Sequence, residues 1–174
     1  KEANNWFNRN LKTISDKNFY DDLYSKEIIS FLKKNNFKSQ KLLDIGAANG
    51  MRLKFISEKV SRKNIKFFGI EPSNKAIKFK VNSKIILKKG TADELPFKDE
   101  TFDAVAFSFC LYLCDDDLLP KIVFEALRVL KKNSNIFIFD FYNKNKIYKS
   151  YKHFPKIKIR KMDNSKIFTG FPNI

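Results

Sequence analysis

Apolar positions along the chain follow two alternating rhythms. Over 20–34, Tyr24, Ile28, Phe31 and Leu32 recur at helical spacing beneath a charged face, which predicts a first helix ending at Asn35 and Asn36. A short apolar strand at 41–45 is stopped by Gly46, and 51–60 resumes helical spacing through Leu53, Phe55, Ile56 and Val60. The pattern then repeats: a second strand at 66–70 runs into Glu71-Pro72, a helix covers 73–81, and a short third strand sits at 85–87. After a loop over 90–101, a fourth strand is expected at 102–108. Leu119, Ile122, Val123, Ala126, Leu127 and Leu130 form a core-facing helix stripe, and a fifth strand spans 135–141.

Strands alternating with helices at this spacing predict an α/β protein whose parallel sheet is built from right-handed crossovers and covered on both faces. Ligands of such sheets bind outside the carboxyl ends of the strands, where the strand order reverses. The turns after the first, second and fourth strands should therefore share one crevice. From Tyr142 the pattern changes to Lys/Ile alternation over 156–162, then Asp163-Asn164-Ser165 and a second stretch at 166–169, which predicts a basic hairpin or a loop-rich appendage.

Composition narrows the class. A chain of 174 residues fits one domain, and 43% hydrophobic residues with five Gly and five Pro exclude a disordered or fibrous chain. No apolar run approaches the roughly 20 residues a bilayer crossing needs, and the stretch 135–141 is interrupted by Asp140. No charged-then-apolar leader opens the sequence, which starts at Lys1 instead of Met. A soluble protein with no membrane partner is expected. The two cysteines, Cys110 and Cys114, cannot make a disulfide framework, which favours the cytoplasm, and they match no zinc spacing, so both are expected as small buried residues and no metal site is expected.

The net charge of +16 raises nucleic acid as a partner. Its distribution weakens that reading. Segment 1–90 carries 21 basic and 8 acidic residues, 91–130 carries 3 and 9, 131–141 carries 2 and 1, and 142–174 carries 9 and 1. Only five of the basic residues are Arg, whereas bidentate recognition of phosphates and base edges favours the guanidinium fork. A solvated Lys-rich surface is the plainer account.

Chemistry concentrates at the turns. Leu42-Leu43-Asp44-Ile45-Gly46-Ala47-Ala48-Asn49-Gly50 lets the backbone approach a ligand and aims a helix N-terminus at it. Ala48 and Met51 stand where a dinucleotide fingerprint needs its second and third Gly, which argues against a nicotinamide cofactor. The turn resembles instead the first motif of the class I S-adenosylmethionine-dependent methyltransferases, an acidic residue followed by Gly-x-Gly-x-Gly. Phe67-Phe68-Gly69-Ile70-Glu71-Pro72-Ser73 puts a carboxylate after the second strand, where that family grips a ribose. Gly90-Thr91-Ala92-Asp93-Glu94-Leu95-Pro96-Phe97 with Phe102-Asp103-Ala104-Val105 resembles the adenine-side loop and fourth strand. Glu125-Ala126-Leu127-Arg128-Val129-Leu130-Lys131-Lys132 is similar to the helix that leads into the fifth. The likeness covers roughly 41–141 and is closest to small bacterial members.

The resemblance implies a Rossmann-like three-layer sandwich with strand order 3-2-1-4-5, divided into an N-terminal helical segment (1–40), a cofactor-binding core (41–141) and a short or incomplete basic extension (142–174). It implies S-adenosylmethionine as cofactor, S-adenosylhomocysteine as product, and Asp44, Gly46, Ala47, Gly50, Glu71, Pro72, Thr91, Ala92, Asp93 and Ser108 as cofactor-binding residues. Thr91 stands where many members carry an acidic residue toward the adenine amino group, so Asp93 or backbone near Ala92 takes that role. Ser108-Phe109-Cys110-Leu111 lacks the Asn/Asp-Pro-Pro-aromatic motif of base amino methylation. The family usually adds two antiparallel strands, and only 33 residues follow Phe141: either the tail is abbreviated or the sequence ends before the fold does.

Residue roles stay open at several positions. Asp44 orients the turn or reaches the methionine ammonium through water, with a turn-capping carboxylate as the plain alternative. Arg52 is more readily an exposed first-turn Arg than a partner of the methionine carboxylate. Asp140 at the rim, Tyr112 and the single histidine His153 are weak catalytic candidates, and Asp115-Asp116-Asp117 reads as the cap of the next helix. The expected reaction is methyl transfer to a small-molecule or sugar-containing acceptor. The alternatives are an RNA-directed methyltransferase and a non-catalytic nucleoside-binding domain.

Overall fold

The computed structural model describes residues 2–16, 22–34 and 39–169. The expected ends of the first helix, at Tyr20 and at Asn35 and Asn36, lie outside them. An amphipathic helix not located in the sequence, α1 (Glu2–Asp16), precedes α2 (Leu23–Lys34). Strand β1 (Gln40–Ile45) leads through the Gly46 turn to α3 (Met51–Val60), β2 (Ile65–Glu71), α4 (Asn74–Lys78) and β3 (Ile86–Lys89). Then come β4 (Phe102–Ser108), α5 (Leu119–Val129), β5 (Leu130–Phe139), β6 (Ile147–Tyr151) and β7 (Phe154–Lys161).

The five-stranded sheet has the order β3-β2-β1-β4-β5, and every pair in it is parallel. Because side chains alternate along a strand, one sequence builds two cores. Leu42, Phe67, Ala104 and Ala106 face α2 and α3, while Leu43, Ile45, Val105 and Phe107 face α5 through Ile122, Val123 and Ala126. This three-layer arrangement is the one the strand and helix rhythm predicts. Both neighbours of β1 lie on opposite sides of it, so the crevice opens at its carboxyl end.

Strand β5 departs from expectation. Its pairing with β4 jumps from Phe102↔Leu130 to Ala104↔Asn135, a bulge that includes Asn133 at φ 57. It stops at Phe139 instead of 141 because the Asp140 carboxylate accepts the Phe141 amide (2.7 Å) and the Tyr112 amide (3.0 Å). The C-terminal hairpin also differs: β6 pairs antiparallel with β7 as a separate two-stranded sheet, and the stretch expected as its second strand, 166–169, instead forms the end of a 3-10 turn at Asn164–Ile167 and the turn after it. Arg160 fastens this hairpin to the core. Almost wholly buried, it donates to the Leu111 carbonyl (2.7 Å), the Cys114 carbonyl (3.0 Å) and Asp116 Oδ1 (2.6 Å).

Helix α1 lies along the carboxyl-end side of the sheet. Asn4 Oδ1 accepts the Ser73 hydroxyl (2.8 Å) after β2, Trp6 Nε1 donates to Tyr112 Oη (3.1 Å) after β4, and Arg9 donates to Tyr151 Oη (3.0 Å) at the end of β6. No helix among the described residues is long and apolar enough to cross a membrane.

Candidate functional site

Two cavities open at the carboxyl ends of β1, β2 and β4. The larger, of about 340 Å³, is bordered by Glu71, Pro72, Thr91, Ala92 and Asp93, with Leu118 and Ile122 as apolar walls. The smaller, of about 300 Å³, is bordered by Asp44, Ala47, Ser108 and Tyr112, with Asn10, Thr13 and Ile14 of α1 across from them. Trp6, Gly46 and Phe109 border both, so the two are halves of one crevice.

The turn after β1 is shaped by backbone more than by side chains. Gly46 sits at φ 80, and a Cβ there would lie 2.8 Å from Cys110 Cβ, so only Gly fits. Ala48 takes φ 48, a left-handed conformation that an L side chain adopts at a cost of about 1 kcal/mol. The turn's amides are already engaged: Gly46 and Ala47 donate to the Ile70 carbonyl (2.9 and 3.1 Å), Ala48 to Glu71 Oε2 (2.9 Å), and Met51 to Asn49 Oδ1 (3.3 Å). A pyrophosphate would find none of these four donors. Gly50, at φ 82, caps α3 and packs toward Ile85 and Leu87; it borders neither cavity, contrary to its expected place among the binding residues.

Glu71 ends β2 with its carboxylate held at both oxygens, Oε1 by the Ser73 amide (2.9 Å) and Oε2 by the Ala48 amide (2.9 Å). Burial pushes its pKa up, and those two amides pull it back. Each carboxylate oxygen retains capacity for a further hydrogen bond. Asp44, 2% exposed, accepts the Ser108 hydroxyl at Oδ1 (2.6 Å) and links β1 to β4. Burial raises its pKa to about 6, against the opposing pull of the Arg52 guanidinium and the Ser108 bond. Ser108 Oγ also lies 3.2 Å from Tyr24 Oη, which donates to the Phe107 carbonyl (3.3 Å).

Several expectations need correction. Arg52 is not an exposed first-turn residue: its side chain is 11% exposed, pairs with Asp22 (3.4 Å) and lies over the rings of Tyr24 (4.9 Å) and Phe139 (5.4 Å), at the edge of the smaller cavity. Asp140 borders neither cavity, because its carboxylate is turned onto the Tyr112 and Phe141 amides; burial pushes its pKa to about 6. His153 is exposed in the hairpin turn, its ring 5.5 Å from that of Tyr151, and away from the crevice. Asp116 does not cap a helix; it binds Arg160, Lys146 and Tyr148, and Leu118 stands before α5 without a side-chain cap. Cys110 and Cys114 are half-buried, not fully buried; their thiols donate to the Ile45 and Cys110 carbonyls (both 3.3 Å) and border the larger cavity. No group of residues that could hold a metal occurs among the described residues.

Two further contributors border both cavities. Phe109, at φ 51, is a non-Gly residue in a left-handed conformation where both cavities meet, the kind of local strain that collects at functional sites. Trp6 opens the segment 6–24, in which acceptor specificity is expected from the sequence without any motif to locate it, and α1 packing sets its ring at the crevice.

A family model described as a methyltransferase domain matches residues 43–138, more than half of the chain. The chain belongs to this methyltransferase family. Class I members take S-adenosylmethionine as methyl donor and release S-adenosylhomocysteine. The domain's fold is shared with the YcgJ protein of Bacillus subtilis (22% identity, TM-score 0.58, covering 70% of this chain and 51% of that one). It is also shared with a putative S-adenosylmethionine-dependent methyltransferase of Methanococcus maripaludis (15% identity, TM-score 0.65, 81% and 65%). A structure of the complex between the Haloferax volcanii Trm112 methyltransferase activator and the putative methyltransferase matches with 17% identity and a TM-score of 0.71, covering 97% of this chain and 75% of that one. The chain thus spans between half and two thirds of the length of the first two of these proteins. No curated protein sequence matches it significantly.

The donor set of the crevice fits S-adenosylmethionine on its own chemistry. A ribose suits the Glu71 carboxylate, the ammonium group of an amino-acid end suits Asp44, and the engagement of the Gly46, Ala47, Ala48 and Met51 amides suits a ligand without phosphate.

Proposed function

We propose that the chain transfers a methyl group from S-adenosylmethionine to a small-molecule or sugar-containing acceptor, in the cytoplasm, as a single domain made of a helical segment, a cofactor-binding core and a basic extension. The observation that carries the reading is the meeting of two cavities at Gly46, one edged by the Glu71 carboxylate and the other walled by Trp6, Phe109, Tyr112 and Phe141.

In this reading Glu71 accepts both ribose hydroxyls, and hydrogen bonds to a charged acceptor contribute roughly 1.5 to 3 kcal/mol. Pro72, Thr91, Ala92 and Asp93 border the adenine end, where the Thr91 side chain first, and then Lys121 at 3.5 Å, hold Asp93 ionised. Asp44 receives the ammonium group and Ser108 fixes its carboxylate. Gly46 and Ala47 let the backbone come close, and Trp6 with Phe109 keeps water from the junction. The donor, when bound, supplies a methyl group already activated on a sulfonium.

Positioning then does most of what the protein contributes, and well-oriented approach supplies roughly 7 to 11 kcal/mol. Of the three weak catalytic candidates only Tyr112 borders the crevice, and burial pushes its phenol up, away from acting as a base at neutral pH. Tyr112 therefore orients the acceptor by hydrogen bonding. An acceptor whose proton leaves readily needs no further base.

The test is a calorimetric titration with S-adenosylhomocysteine. One site of micromolar affinity is expected, and the absence of any uptake overturns the reading.

A further inference from the structure

We propose that the β6–β7 hairpin, with the segment leading into it, is a binding surface for single-stranded nucleic acid, a role beyond the methyl-transfer reading and independent of it. Residues 141–162 contain no acidic side chain. Lys144, Lys149, Lys152, Lys156 and Lys158 are exposed there, and none has a carboxylate partner among the described residues. The hairpin's own attachment does not need them. Arg160 and Lys146 supply the ion pairs, both to Asp116, and the apolar side is buried through Tyr151 and Ile159 against Tyr112. Five unpaired ammonium groups on one short hairpin repel one another, and a polyanion relieves that repulsion.

Exposed aromatic rings decide which polyanion fits. Tyr142 is 71% exposed, Tyr148 49% and Phe154 45%. They alternate with the lysines along the chain instead of gathering into one apolar face, which is the arrangement of a groove where phosphates meet cations and unpaired bases stack on rings. A membrane-seeking element would gather its apolar side chains on one exposed face. Here that face is already buried. Lysine point charges without a guanidinium fork favour tracking of the backbone over reading of sequence. The register places Ser150 opposite Lys158, so Lys156, Lys158 and Tyr148 share one side of the two-stranded sheet. The hairpin also borders the crevice: Ile157 edges the larger cavity, and the Lys161 ammonium lies 4.5 Å above the Phe141 ring that edges the smaller. A strand held on this surface passes the crevice mouth.

The experiment is fluorescence anisotropy with labelled oligouridine and oligothymidine of about 12 nucleotides, a length within the span of known single-strand sites. Saturable binding is expected. With five phosphates neutralised, affinity should fall about 100-fold between about 50 and 200 mM salt. Replacing Lys149→Gln, Lys152→Gln, Lys156→Gln and Lys158→Gln together should weaken binding at least about tenfold and flatten the salt dependence by about 3 in log–log slope. Phe154→Ala should weaken binding and leave that slope in place. Comparable binding of both oligomers, or binding of the ribose form alone, supports the proposal and separates RNA from DNA. No binding of either, a quadruple variant with unaltered affinity and slope, or partition onto phosphatidylserine vesicles with both oligomers unbound overturns it. A protein that binds oligomer but not S-adenosylhomocysteine leaves the hairpin surface standing and removes the methyl-transfer reading; the converse removes the hairpin surface alone.

Discussion

The Ala48 amide donates to Glu71 Oε2 at 2.9 Å, so the turn after β1 and the end of β2 are joined by the carboxylate that edges the larger cavity. The same side chain takes the Ser73 amide on its other oxygen, which fixes its orientation before any ligand arrives. Pre-orientation of this kind lowers the ordering cost of binding. Glu71→Ala should weaken S-adenosylhomocysteine affinity at least about tenfold, roughly 1.4 kcal/mol. It should also cost about 1 to 3 kcal/mol of stability, since two amides lose their acceptor. Calorimetry and urea titration measure the two separately, and unchanged affinity counts against the ribose role.

Two small residues in the turn respond in opposite directions. Gly46→Ala adds a Cβ 2.8 Å from Cys110 Cβ at φ 80. A loss of about 2 to 4 kcal/mol is expected from left-handed strain and overpacking together. Ala48→Gly removes the strain of an L side chain at φ 48 but loosens the unfolded chain, so its stability should stay within about 1 kcal/mol of the parent, on the stabilising side. Thermal melts of both variants decide the matter.

The buried Asp44 makes stability depend on pH in a set direction. Its folded pKa is about 6. The unfolded value is about 4. The folded chain therefore keeps a proton that the unfolded chain has already released between those values. This contribution is fully present below about pH 4 and is lost as pH rises through about 6. Asp140, also raised to about 6, acts in the same window. Asp116, held down at about 2, works oppositely: its contribution is present above about pH 4 and fades as pH falls toward 2. Asp44→Asn, which retains an acceptor for Ser108, should flatten the decline in urea midpoint between about pH 4 and 6. An unaltered decline would show that Asp44 ionises normally.

Trp6 is the only tryptophan and borders both cavities, so its emission reports on the crevice directly. Addition of S-adenosylhomocysteine should change its intensity or emission maximum, saturating with the calorimetric affinity. Trp6→Phe keeps an apolar ring but removes the Nε1 bond to Tyr112 Oη, and should weaken that affinity about twofold to tenfold, the range of one neutral hydrogen bond. Emission that stays constant through a titration in which calorimetry detects binding places the ligand elsewhere.

The strand and helix rhythm was legible because burial on two faces leaves a periodic trace. Leu42 and Leu43 differ by one position and face different cores, and the stripe from Leu119 to Leu130 faces one. Gly46 and Glu71 close apolar runs and could be placed by the same alternation, whereas Asp44 and Thr91 were placed by the motifs that resemble the methyltransferase family. Arg52 was not legible. Its burial depends on Asp22 and Tyr24 at the start of α2 and on Phe139 at the end of β5, two segments distant from it in the chain. Asp140 likewise reads as a rim carboxylate until the Tyr112 amide, 28 residues away, is found to occupy it.

Local periodicity and turn chemistry, carried by neighbours in the chain, therefore determined the layer order, the parallel sheet and the end of the sheet at which ligands enter. Tertiary packing decided which charges are hidden, how Trp6 and Phe109 divide the crevice, and that β6 and β7 form their own sheet instead of extending β5. The reason is range. A repeat of two or 3.6 residues records whether a side chain faces inward, but the solvation and partner of a buried charge are set by side chains that only folding brings within about 4 Å.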